Sequence, residues 1–196
     1  MNSLSWFPFF LSQKWVTEAA TLDVLEAIKG RRSVRNFRDK EVSKSKLEKI
    51  IECGTLAPSA GNLQPWEFVV VRDSQRKRAL AAAALHQNFV AEGSVVIVVL
   101  ANQSRSARIY GRRGAELYSI QDTAAAIQNM LLAAHGMGLG ACWVGAFDED
   151  AVAEVVGARN HVRPVGIIAI GYPRYIPEPT SRRKVTEVIH EEMYPT

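Results

Sequence analysis

The sequence predicts an α+β fold, on three observations. Two apolar runs, SVVIVVLA (Ser94–Ala101) and RPVGIIAIG (Arg163–Gly171), have the length and composition of buried strands. Helical spacing of apolar residues recurs elsewhere, most extensively from Ala115 to His135. The chain of 196 residues, 47% hydrophobic and 22% charged, is large enough to bury a core as a single domain of ordinary globular composition. No internal repeat or linker divides it, so residues 1–20 read as an N-terminal arm and 21–196 as one domain.

Taken in order, Thr21 is placed to cap a helix through Lys29, with Leu22, Leu25 and Ile28 on one face and Gly30 ending it. A second helix follows Ser43, burying Leu47, Ile50 and Ile51 until Gly54 stops it. The segment TLAPSAGNLQP (Thr55–Pro65) has too many turn formers for regular structure. WEFVVVR (Trp66–Arg72) reads as a buried strand, and Ser74 as the cap of an alanine-rich helix through about Leu85. Between the Ser94–Ala101 strand and the long helix, residues Asn102–Gly114 are polar and arginine-rich, and read as a surface segment without regular structure. The long helix is expected to bury Ala124, Ile127 and Leu131. Glycines 136, 138 and 140 then break the chain before the short strand ACWVG, and Asp148 caps one more helix. After the last strand, the tail from about residue 172 carries too many prolines for a core element, and reads as a strap over its own domain or a neighbouring subunit.

A formal net charge of +4 suits a phosphate-bearing ligand, an anionic substrate or nucleic acid. For nucleic acid the sequence offers no aromatic-basic RNA signature, zinc pattern or helix-turn-helix break. Cys53 and Cys142 are isolated thiols that fit a reducing cytoplasm, and the four histidines show no metal-ligand spacing. The aromatic stretch LSWFPFFLS is shorter than the ~20 residues of a membrane span and lacks a signal-peptide pattern, so neither a membrane nor a metal is expected.

Four constellations carry chemistry. GRRSVRNFR (Gly30–Arg38) sets Arg31, Arg32, Ser33 and Arg35 after a helix, where guanidinium forks and a hydroxyl can hold a phosphate monoester; a solvated basic patch would look the same. PSAGNLQPW (Pro58–Trp66) offers Ser59, Asn62 and Gln64 to the donors and acceptors of a heterocycle edge, or to its own backbone. DTAAAIQNMLLAAHGMGLGACWVGAF (Asp122–Phe147) brings the main chain and aromatic wall of Cys142, Trp143, Val144 and Gly145 to a planar ring, or is simply a helix, turn and strand. SRRK (Ser181–Lys184) is a second basic cluster, useful to the first only if folding joins them.

In this order and spacing the four resemble the FMN-dependent nitroreductase family, over about Leu22 to Glu192. The resemblance implies a mainly antiparallel sheet flanked by helices in an intertwined homodimer, with the tail crossing to the partner. It implies FMN held by Arg31, Arg32, Ser33 and Arg35 at phosphate, ribityl chain and pyrimidine edge, with Arg183, and Arg182 beside it, closing the phosphate site. Ser59, Asn62 and Gln64 resemble the loop that the partner lays over the isoalloxazine. Trp143, Val144 and Gly145 would lie along the ring, with a main-chain N–H near the flavin N5. The implied activity is ping-pong reduction of small electron-poor acceptors (nitroaromatic, quinone, enone or flavin) by NAD(P)H, with no catalytic side chain. Relatives that dehalogenate or fragment flavin are the alternative. Some branches carry a glutamate at the turn matching Val144–Gly145, and this chain has none.

Overall fold

The computed structural model describes residues 23–195, so the N-terminal arm, Thr21 and Leu22 lie outside it. Four strands, β1 (Trp66–Val71), β2 (Val95–Asn102), β3 (Gly140–Val144) and β4 (Val162–Gly171), form one sheet in the order β1-β2-β4-β3, every pair antiparallel. Around it lie α1 (Val24–Gly30), α2 (Lys44–Thr55), α3 (Ser74–Ala83), α4 (Phe89–Glu92), α5 (Gln103–Arg113), α6 (Ser119–Gly136) and α7 (Glu149–Val156). This is the α+β architecture expected.

The parity of β2 explains its unbroken hydrophobicity. Val95, Ile97 and Val99 pack with Leu47 and Ile50 of α2 and Ile127, Met130 and Leu131 of α6. Val96, Val98 and Leu100 pack on the other side with Leu80 of α3, Val90 of α4 and Val152 of α7. Alternate side chains of a strand point to opposite faces, and here each face meets a helical layer. β1 is different: as an edge strand it buries Trp66 and Val71 but exposes Glu67 and Val70, which corrects the wholly buried reading.

Helix starts differ from the expectation at two places. Asp23 caps α1, accepting from Leu25 N–H at 2.8 Å, and Asp73 caps α3, accepting from Arg76 N–H at 2.8 Å. At each a carboxylate takes the capping position, its charge also favoured by the helix dipole. Leu25 and Ile28 of α1 are exposed, and Ala27 is its buried residue. Gly54 does not stop α2 but lies inside its last turn, where a Cβ would come within 2.8 Å of Met130 Cγ; the glycine allows α2 and α6 to approach. The buried stripe of α6 is Thr123, Ala126, Ile127, Met130, Leu131 and Ala134, with Ala124 at its margin. The arginine-rich stretch is helical as α5, capped by Asn102 and broken at Gly111 by a φ of 54°; a π-helical turn, Gly114–Tyr118, joins it to α6.

A cross-strand pair of glycines receives the segment after α1. Gly140 of β3 faces Gly171 of β4, and Val34 packs on the first and Phe37 on the second. The backbone is fastened there by Val34 N–H to Ala141 O (3.0 Å) and Arg38 N–H to Tyr172 O (2.8 Å). A Cβ on Gly140 would stand 2.7 Å from Val34 Cγ1 and 2.8 Å from its Cβ, and a β-branched side chain has little rotamer freedom to yield. Gly140→Ala is therefore expected to cost roughly 1–3 kcal/mol in urea unfolding. Gly136→Ala, where a Cβ meets nothing within 4 Å, should cost nothing measurable. Equal stability of the two variants would contradict this docking.

Candidate active site

The basic turn is positioned by what surrounds it. α1 ends at Gly30, where the backbone of Arg31 turns extended, and the imidazole of His135, at the end of α6, fills the space a side chain at residue 30 would need: a Cβ there would lie 2.9 Å from His135 Nε2. The chain then runs extended from Arg31, and Ser33 forms a parallel bridge with Ala141 of β3. Beyond β4 the tail pairs Pro173 with Phe37, and Arg174 N–H donates to Asn36 O at 3.0 Å. It then passes in front of the basic turn. A cleft of about 560 Å³ results, lined by Arg31, Arg32, Ser33 and Arg35 on one wall and by Pro177–Thr180 and Arg182 on the other. Glu178 is the carboxylate among its lining residues.

The five arginines expected at the phosphate, Arg31, Arg32, Arg35, Arg182 and Arg183, are not equivalent. Arg32 turns back to donate to Lys29 O (2.6 Å) and Arg31 O (3.0 Å), satisfying carbonyls at the end of α1. Arg182 donates to Thr180 Oγ1 and Ser181 O, which holds it at the cleft wall. Arg183 is not a lining residue; it pairs with Glu187, donating to its main-chain O at 2.6 Å. Arg35 stacks its guanidinium on Phe89, 5.6 Å from the ring centroid. Among the described residues Arg31 makes no side-chain hydrogen bond or ion pair, so its donors are available to a ligand. Burial together with the charges of Arg31 and Arg32 holds the His135 imidazole below its ordinary pKa, so it is neutral at neutral pH and the arginines carry the positive charge.

β3 leads away from this cleft along the sheet edge. Ala141 gives its carbonyl to Val34 on the open side, and main-chain groups alternate sides along a strand. Trp143 and, just past the strand, Gly145 therefore turn their amides to the open edge. Val144 does not: its main chain faces β4 and its side chain is buried in the core with α3 and α7. Of these three expected site residues, Trp143 and Gly145 present their main chain at the open edge and Val144 does not. The Trp143 indole is partly exposed and lies against Gly166, where a Cβ would be 2.7 Å from its Nε1. Cys142 is buried; burial pushes its thiol up, opposed by the charges of Arg35 and Arg31 and by the nearby Ser33 hydroxyl.

The Ser59–Gln64 loop sits elsewhere. It contains a single 3-10 turn, Ala60–Asn62, and is closed by Ser59 Oγ accepting from Gln64 N–H at 3.0 Å and Asn62 Oδ1 accepting from Gln64 Nε2 at 3.2 Å. Ala60 N–H donates to the carboxylate of Asp122 on α6 at 3.1 Å, and Arg105 of α5 donates to Leu63 O. The Tyr110 hydroxyl abuts Gly61. Thirteen residues of helix separate Asp122 from His135, or about 20 Å at 1.5 Å per residue. None of Ser59, Asn62 or Gln64 lines the basic cleft of its own chain. From sequence, Asp122 and Tyr110 had no assigned role, and Arg105 stood out only as part of the arginine-rich segment. The available signal for Asp122 was an acid in register with the apolar stripe Ala126 and Met130.

Among the described residues no group of three or more His, Cys, Asp and Glu could hold a metal ion, and no helix is long and apolar enough to cross a membrane.

The sequence profile of the nitroreductase family matches residues 28–92 and 81–172. An NADH dehydrogenase of Thermus thermophilus is 34% identical, with 87% of this chain and 98% of that protein covered. An FMN reductase (NADPH) of Bacillus subtilis is 28% identical, covering 88% and 74%. The solved structure of the NADPH:FMN oxidoreductase of Vibrio harveyi complexed with NAD+ superposes with a TM-score of 0.81 at 28% identity, covering 88% and 78%.

The two walls of the cleft can be tested separately from the tail beyond them. Arg31→Ala and Arg182→Ala are each expected to weaken FMN binding to apoprotein roughly tenfold or more, the weight of a charge-assisted phosphate contact. Arg183→Ala, whose guanidinium is engaged by Glu187, should have a much smaller effect. Fluorescence titration with FMN reads all three; a loss confined to Arg183→Ala would place the phosphate elsewhere.

Proposed function

The chain belongs to the nitroreductase family and is an NAD(P)H-dependent oxidoreductase, and we propose that it holds FMN in a site shared between two copies of the chain and reduces small electron-poor acceptors. The observation that carries this reading is the cleft: basic residues from opposite ends of the sequence, Arg31 and Arg35 on one wall and Arg182 on the other, meet around a volume of about 560 Å³.

That donor set fits a phosphate monoester. Arg31 offers unengaged guanidinium N–H groups, Arg182 is held in place by Thr180 and Ser181, and Ser33 supplies a hydroxyl. FMN, when bound, supplies hydride transfer at its ring. Arg31, Ser33 and Arg182 would hold the phosphate, Trp143 and the Gly145 amide would meet the ring, and Arg35 would supply the cation that stabilises negative charge on the reduced flavin. No side-chain nucleophile or metal takes part. Donor and acceptor occupy the same place in turn, which gives ping-pong kinetics with a nitroaromatic, quinone, enone or free flavin as acceptor. The arginines of α5, next to the Ser59–Gln64 loop, attract the phosphates of the nicotinamide donor.

The homodimer follows from the separation of the two half-sites. Asp122, which ties the loop, and His135, beside the end of α1, are about 20 Å apart along α6, and none of Ser59, Asn62 and Gln64 lines the basic cleft of its own chain; a second copy would bring its loop to the ring. The exposed apolar residues of the tail, Tyr175, Ile176, Val185, Val188, Ile189, Met193 and Tyr194, find cover in the same assembly.

Homodimers of Arg31→Ala and of Asn62→Ala should each lose most FMN-dependent NAD(P)H oxidation. A hybrid of the two, isolated through different tags, has one intact site and one doubly damaged site, and should recover up to about half of wild-type activity. Wild-type protein that oxidises neither NADH nor NADPH with FMN and any of these acceptors would remove the functional reading. An inactive hybrid beside an active wild type would remove only the shared site.

A further inference from the structure

The Ser59–Gln64 loop has an unusual backbone. Gly61, Asn62 and Gln64 all have left-handed φ values, 57°, 54° and 50°, and two of the three carry side chains. Such a conformation persists where its surroundings impose it. Two of its restraints are internal, Ser59 to Gln64 and Asn62 to Gln64, and would travel with the loop if it swung. Two come from outside. Arg105 reaches Leu63 O from the exposed surface of α5, and Asp122 reaches Ala60 N–H from α6.

Asp122 is the buried anchor of the pair. It is 7% exposed, its Oδ1 accepts from Ala60 N–H, and its Oδ2 is buried without a hydrogen-bond partner among the described residues. A carboxylate in such surroundings is costly, and burial pushes its pKa up, opposed by the Ala60 hydrogen bond. Packing does not require it, since the neighbouring positions of the same stripe are Thr123, Ala126 and Ile127. What Asp122 does alone is tie a rigid helix to the residue immediately before the left-handed turn.

We propose that Asp122 is a positioning residue for flavin binding, holding Ala60 so that Asn62 and Gln64 are presented to the isoalloxazine ring in a fixed orientation. This rests on the reading that the loop contacts the flavin, and goes beyond it by assigning the loop's geometry to a residue that touches no ligand. The hydrogen-bond acceptor is the working group. An asparagine can supply it, and an alanine cannot.

The test compares Asp122→Ala, Asp122→Asn and Asn62→Ala as apoproteins titrated with FMN below their melting temperatures, with hydrogen exchange at the Ala60 amide read alongside. Asp122→Ala should raise the FMN dissociation constant roughly tenfold or more, as loss of a hydrogen bond to a charged group does, and should speed Ala60 exchange. Asp122→Asn should restore both toward wild type. Wild-type affinity in folded Asp122→Ala, even with a lowered melting temperature, would reduce Asp122 to a structural residue and overturn the proposal. Asp122→Asn as weak as Asp122→Ala would also overturn it, because the acceptor is then not what matters. If Asp122→Ala does not fold, an Ala60 amide in wild type that exchanges as fast as an exposed amide overturns it equally. Asn62→Ala separates the two layers: weakened FMN binding there beside an unaffected Asp122→Ala removes only the positioning role. Wild-type binding in Asn62→Ala removes the loop's contact with the flavin, and with it the premise.

Discussion

The basic cleft depends on one packing constraint, the seating of Val34 and Phe37 on the paired glycines Gly140 and Gly171. Without side chains at that rung the extended segment after α1 can lie directly on the sheet, donate main-chain hydrogen bonds to Ala141 O and Tyr172 O, and bury two large apolar groups. Arg31 and Ser33 lead into this seat and Arg35 lies exposed within it, so the three reach one wall by backbone geometry, not by attraction between the arginines, which repel one another. Gly30 does the same service at the helix end by making room for His135.

The same arrangement sets the cleft and the polar loop apart within one chain. The sheet end that seats the basic turn lies at the C-terminal end of α6, and the polar loop is tied to the N-terminal half of the same helix through Asp122. The stiff helix between them keeps that spacing, which is why the proposed flavin site draws on two copies of the chain. Each half is preorganised in its own chain: the loop by left-handed residues and a buried carboxylate, the cleft by the glycine rung and the returning tail. In the proposed homodimer, association of two copies would join preorganised pieces and leave little ordering to the ligand.

How much of this was legible in the sequence depended on whether the signal was local. β2 and β4 were readable because strands covered on both faces are continuously apolar, and α2 and α7 because their caps stand beside clear amphipathic spacing. The starts of α1 and α3 were misjudged by a preference for a hydroxyl over the adjacent aspartate. α5 was read as irregular because it has no apolar stripe; its order comes from the Asn102 cap and from contacts with the Ser59–Gln64 loop, neither visible as periodicity. The residue types of the basic clusters were plain, but their meeting was not, since it depends on contacts between the turn after α1 and the tail beyond β4. Val144 was placed with Trp143 and Gly145, although strand alternation turns it into the opposite core. Asp122 was quoted within a motif and left unassigned, because its partner is a main-chain amide 62 residues away.

The central claim is that a phosphate, gripped by arginines from the two ends of the chain, anchors the flavin. Riboflavin has the same ring and ribityl chain without that phosphate, so the ratio of the two affinities isolates the cleft. Calorimetric titration of apoprotein at moderate salt should show FMN binding at least about 100-fold more tightly than riboflavin, the sum of two charge-assisted contacts. Equal affinity for FMN and riboflavin would contradict the account.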